Sequence, residues 1–182
     1  MNPALAARAI LLTAWPSQMT TWAPPVSQNV DAVTYATPLA IMKGTEAAGT
    51  LPSLRDAFLG NIGGCIGEIS AAALLLGAAY LLIRKVITWH TPVAFIGTVA
   101  LMTWILGGKD GVFTGDWIYH IFAGGLILGA FYMATDYSSS PMTSRGQFIM
   151  GVGCGLITSL IRLYGGYPEG VSYSIILMNI VT

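Results

Sequence analysis

The sequence has few charged residues for its length. They make up 9% of its 182 positions, whereas soluble domains carry about 25%. Eight basic residues balance eight acidic ones, and no basic run is present, which argues against nucleic acid as a partner. Hydrophobic residues account for 54% of the chain, and the mean hydropathy is +0.68. This composition predicts an integral membrane protein surrounded by a lipid bilayer.

Cysteine is also scarce. Cys65 and Cys154 stand far apart in apolar segments and form no C-x-x-C pair, so the chain alone offers no four-ligand set for zinc or an iron–sulfur cluster. We interpret both as small buried apolar residues and predict no metal site. The start of the chain lacks a basic segment ahead of its apolar run, so a cleavable signal peptide is not predicted.

The first 59 residues predict one short helix and a long loop. Asn2 and Pro3 suit the cap and first position of a helix that ends at Trp15-Pro16. This helix is too short to span a bilayer, which needs about 20 residues, so residues 1–16 are predicted to be a short or re-entrant helix. Residues 17–59 are rich in Thr, Pro, Ser and Gly and are predicted to be a loop. Loops of this length are often functional.

Residues 60–182 predict four to five transmembrane helices. The expected ranges are 60–83, 91–106, 116–135, 146–164 and a short last helix from residue 171. Because the last helix is too short to span, we expect the chain to be a fragment. Arg84 and Lys85 beside a helix end favour that side as cytoplasmic, which places the 17–59 loop on the outer side.

Glu68 is predicted to lie one to two turns inside the first of these helices. An intramembrane carboxylate is costly and usually has a partner, for which Arg8 and Arg162 are the candidates. A structural pair and a role at a cofactor or ion path both stay open. The glycines from Gly60 to Gly67 fit no nucleotide-binding pattern. Two interpretations stay open: the glycines allow neighbouring helices to pack closely, or their backbone N–H groups at a helix start bind a phosphate. His120 is interpreted as a packing residue.

One polar segment of the loop carries a resemblance to a known family. Residues 31–37 read Asp-Ala-Val-Thr-Tyr-Ala-Thr and precede Pro38. They resemble the flavin-acceptor signature of the NqrB/RnfD family of bacterial redox-pump subunits, Asp-x-x-[Ser/Thr]-[Ser/Gly]-Ala-Thr, in which the last threonine carries flavin mononucleotide (FMN). Asp31, Thr34, Ala36 and Thr37 match, and Tyr35 stands where the family has Gly or Ser. Other segments are also similar to family segments in the same order, namely residues 2–9, 60–70, 88–92, 134–136, 140–143, 167–170 and 178–179.

The resemblance implies a fold, a cofactor and a function. The fold would be the urea-transporter-like helical bundle of the family, seen here in its later half, with RnfD a better fit than NqrB. Thr37 would hold covalent FMN, and no residue would be catalytic. The other cofactor-binding residues that we derive from it are Asp31, Thr34, Tyr35, Ala36, Arg8, Asn61 and Glu68. A second, non-covalent flavin stays open.

The implied function is that of an electron-carrying member of an ion-translocating redox complex. It would work in the bacterial cytoplasmic (inner) membrane, coupled to Na⁺ or H⁺, with other membrane and flavoprotein subunits as partners. Two alternatives stay open: a solute transporter or channel without a redox cofactor, and a purely structural membrane subunit. Function does not follow from a shared fold, and bound flavin would separate these alternatives.

Overall fold

The computed structural model describes residues 2–22, 37–43, 51–65, 67–108, 113–166 and 170–181. Every regular element in these ranges is helical, as predicted. The elements are α1 (Pro3–Ala14), α2 (Pro16–Thr20), α3 (Pro38–Lys43), α4 (Leu54–Leu59), α5 (Ala71–Ile83), α6 (His90–Leu106), α7 (Trp117–Phe122), α8 (Leu126–Leu128), a π-helical segment (Gly129–Met133), α9 (Ser144–Tyr164) and α10 (Val171–Val181).

The first helix begins at the predicted cap. The Asn2 Oδ1 atom accepts hydrogen bonds from the backbone N–H groups of Ala4, at 3.0 Å, and Leu5, at 3.4 Å. These bonds satisfy two amides that a helix start otherwise leaves open. Beyond Trp15, the short helices α2, α3 and α4 interrupt the stretch that was expected to be one continuous loop.

The helix expected from residue 60 begins only at Ala71. The Ser70 Oγ atom caps it by accepting a hydrogen bond from the Ala73 N–H at 3.3 Å. Gly60 and Gly67 have φ angles of +98° and +90°, a conformation that glycine tolerates and a right-handed helix excludes. Two expectations are therefore wrong: Glu68 lies in a turn before α5 rather than inside a helix, and the glycines from Gly60 to Gly67 do not lie on a helix.

The helix expected over residues 116–135 is broken in two. α7 ends at Phe122, and Gly124, with a φ angle of +73°, separates it from α8 and the π-helical segment. Two consecutive glycines at this point remove the side chains that would favour helical continuation. The break brings Gly124 and Gly125 to the site described below.

The core forms where α6, α9 and α10 pack together. Phe95, Val99, Met150 and Ile175 are completely buried, and Leu5 of α1 joins them. On α9, Gly151 and Gly155 allow a close approach to α6, because a Cβ atom at either position would collide with Ala94 or Thr98.

Among the described helices, α9 has the length and composition of a membrane span. It has 21 residues and a mean hydropathy of 1.4 over its apolar window. α1, α5, α6 and α10 are shorter apolar helices. A helix needs about 20 residues to cross the core of a bilayer. In the described part of the chain, α9 is the one helix that reaches this length.

Candidate functional site

Thr37 lies half-buried at the start of α3. Its Oγ1 atom accepts a hydrogen bond from the Ala40 N–H at 3.3 Å, and its carbonyl accepts one from the Ile41 N–H at 3.1 Å. Leu39, two residues further on, packs in a buried cluster with Tyr119 and Ala123 at the end of α7. The predicted acceptor residue is therefore held in place by a helix that packs against α7.

Thr37 lines a small cavity of about 30 Å³, here called the acceptor cavity. Glu68 lines it too, so the structure brings together two residues that the sequence places 31 positions apart. The other described residues that line it are Trp22, Pro38, Leu39, Ile62, Gly63, Gly64, Cys65, Ile69 and Gly124.

Arg8 pairs with Glu68 beside the acceptor cavity. An Nη atom of Arg8 lies 3.4 Å from a carboxylate oxygen of Glu68, and the two side chains are 26% and 6% exposed. Of the two candidate partners for Glu68, Arg8 is confirmed, whereas Arg162 donates hydrogen bonds to backbone carbonyls at the end of α7. Gly125 lies against the same carboxylate, because a Cβ atom added there would collide with the Glu68 oxygens.

Arg162 instead holds the end of α7. It is 4% exposed, and its guanidinium donates hydrogen bonds to the carbonyls of His120, at 2.6 Å, and Ala123, at 3.3 Å. The His120 side chain is also buried, and its Nδ1 atom has no hydrogen-bond partner among the described residues. Arg162 thus fixes the chain just before Gly124 enters the acceptor cavity.

Lys43, at the far end of α3, contacts the end of α9. Its Nζ atom donates to the carbonyls of Ile161, at 3.2 Å, and Gly165. Such bonds satisfy carbonyls that a helix end leaves open. Partial burial lowers the pKa of the Lys43 ammonium below its usual range. Through Thr37 and Lys43, α3 connects the acceptor cavity to α9, the longest of the described helices.

The other predicted site residues are placed differently. Asn61 is exposed in the turn after α4, where its N–H donates to the Asp56 carbonyl at 2.9 Å, and its neighbour Ile62 reaches the cavity instead. Asp31, Thr34, Tyr35 and Ala36 lie outside the described residues.

Sequence reasoning missed Cys65 and Gly124 as residues of the acceptor cavity. No local pattern relates these positions to Thr37, because the turns and the break after α7 bring them there. The adjacent Gly124 and Gly125 were the one available signal, since paired glycines indicate a helix break.

Comparison with known proteins identifies the family. All 182 residues match the model of the NQR2, RnfD, RnfE family. The chain belongs to this family. The predicted resemblance is therefore confirmed, and it extends over the whole sequence.

Curated relatives in the family are subunits of ion-translocating oxidoreductase complexes. The chain is 53% identical over 188 residues to a subunit of the proton-translocating ferredoxin:NAD(+) oxidoreductase complex of Clostridium ljungdahlii, covering 100% of the chain and 57% of the relative. It is 53% identical over 184 residues to the corresponding subunit of the Na(+)-translocating complex of Acetobacterium woodii, covering 100% and 55%. It is 35% identical over 199 residues to the corresponding subunit of the ion-translocating oxidoreductase complex of Pseudomonas paraeruginosa, covering 98% and 57%. The chain thus spans little more than half the length of these relatives.

Proposed function

We propose that this chain is an electron-carrying membrane subunit of an ion-translocating redox complex and that it holds FMN in a phosphoester bond to Thr37. One observation carries the proposal. Thr37 and Glu68 line the acceptor cavity together, and Arg8, from a third segment, pairs with Glu68. The match of Thr37 to the acceptor signature and the names of the two relatives at 53% identity support the same function.

The residues around Thr37 suit a phosphate diester. Arg8 places a permanently charged guanidinium beside the cavity, and such a group binds phosphate oxygens well. Gly63 and Gly64 bring backbone without side chains to the cavity wall, which leaves room for a phosphate to approach. Glu68 fixes the position of Arg8. FMN supplies reversible electron transfer when bound, while the protein holds it, limits water and sets the surrounding charge.

The setting of this function is part of the proposal. We propose the bacterial cytoplasmic (inner) membrane, with the segment before Thr37 on the outer side and other membrane and flavoprotein subunits as partners. The transported ion is Na⁺ or H⁺. The two relatives at 53% identity are named for different ions, one for protons and one for Na⁺, so overall similarity does not choose between them.

The attachment of FMN is tested directly by mass spectrometry. The full chain would be produced in a host that makes the flavin transferase, denatured, and examined for flavin fluorescence in the gel. We expect the peptide that contains Thr37 to carry the mass of FMN less one water. Thr37→Ala removes it, and Thr20→Ala, which changes an exposed threonine of α2, keeps it. An unmodified Thr37 in the wild-type chain from that host would contradict the proposal and favour a channel or structural role.

A further inference from the structure

A second, much larger cavity adjoins the acceptor cavity. Its volume is about 410 Å³, and Leu39 of α3 lines both cavities. Met42 and Lys43 continue the same wall, while Asp116, His120 and Arg162 face it from α9 and from the segment around α7. No residue in this set belonged to the predicted cofactor site.

The two cavities differ in the size of the group that each can hold. Cofactor and small-molecule sites usually measure about 300–1,000 Å³, a range that includes the larger cavity. The acceptor cavity, at about 30 Å³, is far below that range. Of these two cavities, the one that Thr37 lines is too small for a flavin ring, whereas the larger one, which shares Leu39 with it, has room for the ring.

The distance along α3 matches this arrangement. A helix rises about 1.5 Å per residue, so Lys43 lies about 9 Å along the axis from Thr37. The ribityl chain that joins the phosphate of FMN to its ring is of comparable length. A ring whose phosphate is bound to Thr37 thus reaches the wall formed by Met42 and Lys43.

The walls of the larger cavity suit a flat ring with one polar edge. Leu39, Met42 and Leu163 supply apolar surface for the ring faces. Lys43 and Arg162 bring two positive charges, which their hydrogen bonds to helix-end carbonyls hold in place. Asp116 is the one acidic residue among the described lining residues. The buried His120 Nδ1 atom, without a partner among the described residues, adds a hydrogen-bonding group.

Resting on the proposed function, we propose that the isoalloxazine ring of the flavin on Thr37 lies in the larger cavity, and that Lys43 and Arg162 there raise its reduction potential. Reduction adds two electrons and one proton to the ring; the electrons come from a reduced electron-transfer partner in the complex, and the proton comes from solvent water. The reduced ring then carries one extra negative charge. Fixed positive charges nearby lower the energy of that state relative to the oxidised ring.

The test uses the full chain loaded with FMN and compares matched variants. Lys43→Gln removes the charge but keeps a donor for the α9 carbonyls, and Lys43→Arg keeps the charge. Lys85→Gln is the control, because Lys85 is an exposed lysine after the end of α5 that is absent from the larger cavity. Met42→Trp fills the cavity, and Leu76→Trp, on the exposed face of α5, adds the same side chain elsewhere.

Two readouts separate the two proposals. Mass spectrometry of the Thr37 peptide reports attachment, and spectroelectrochemical titration of the loaded protein reports the potential. We expect Lys43→Gln to stay loaded and to shift the equilibrium about tenfold toward oxidised flavin, which is about 30 mV for a two-electron couple. Lys43→Arg and Lys85→Gln keep the wild-type potential. Met42→Trp quenches flavin fluorescence or shifts the visible spectrum, whereas Leu76→Trp does neither.

The placement of the ring would be overturned if loaded Lys43→Gln kept the wild-type potential and loaded Met42→Trp kept the wild-type spectrum and fluorescence. The attachment to Thr37 would then still stand. If Lys43→Gln does not fold, the Met42→Trp and Leu76→Trp pair decides by spectrum alone. Absence of FMN from the wild-type chain would overturn both proposals.

Discussion

Arg8 and Glu68 are 60 positions apart in the chain, and their charged groups lie 3.4 Å apart beside the cavity that Thr37 lines. The pair joins the first helix to the turn before α5. Because the Glu68 side chain is 6% exposed, its carboxylate depends on partners within the protein rather than on water.

Arg8→Gln is expected to lower the free energy of unfolding by about 1–3 kcal/mol, because a buried carboxylate loses a charged hydrogen-bond donor. Thermal unfolding of the detergent-solubilised protein measures this effect. Adding Glu68→Gln to Arg8→Gln removes the buried charge and recovers part of the loss, and Arg145→Gln, at an exposed position, serves as the control. If Arg8→Gln unfolds at the wild-type temperature, the pair does not stabilise the fold.

Gly125→Ala is expected to displace the Glu68 carboxylate, because the added Cβ atom would collide with its oxygens. The strain costs about 1–3 kcal/mol. On the proposed function, the variant also reduces FMN loading at Thr37. Gly97→Ala is the matched control, since a Cβ atom on Gly97 meets nothing within 4 Å. Equal stability and equal loading of the two variants would show that Gly125 does not hold Glu68 in place.

Tyr132 in the π-helical segment is expected to couple energetically to Gly77 in α5. Its hydroxyl donates to the Leu74 carbonyl at 2.7 Å, and an added Cβ atom on Gly77 would collide with that hydroxyl. Tyr132→Phe costs about 1 kcal/mol, and Gly77→Ala costs about 1–3 kcal/mol. In a double-mutant cycle, the two losses should not add, because both act on one contact. Additive losses would contradict the contact.

Arg162→Gln is expected to destabilise the protein by about 2–4 kcal/mol, because two buried carbonyls at the end of α7 lose their charged donor. Limited proteolysis should then cut more readily near Gly124. Arg84→Gln, at an exposed position after α5, is the control and should leave the cleavage pattern unchanged. Wild-type resistance in Arg162→Gln would mean that other contacts hold this turn.

The sequence predicted those helices whose signals are local. Asn2 and Pro3 mark the start of α1. The helices α6, α9 and α10 begin within two residues of the positions that their apolar runs predict. The turn at Gly67 and the break at Gly124 were not predicted, because a hydropathy pattern counts glycine as apolar and contains no information on the sign of φ. Tertiary contacts decide whether a glycine continues a helix or ends it.

The candidate site was predictable only in part. The resemblance selected Arg8, Thr37 and Glu68, and the structure brings Thr37 and Glu68 to one cavity with Arg8 beside it. It did not select Lys43 or His120, which reach the larger cavity through the packing of α3 on α7. That packing depends on Leu39, a residue that looks like any other apolar residue in the sequence.

The half-buried position of Thr37 has a consequence for how the protein is made. In the folded chain its Oγ1 atom accepts a hydrogen bond from Ala40 at the first turn of α3. On the proposed function, a modifying enzyme needs that oxygen exposed and extended in its own active site. We therefore expect flavin attachment to precede the docking of α3, because the folded chain keeps this oxygen half-buried and hydrogen-bonded.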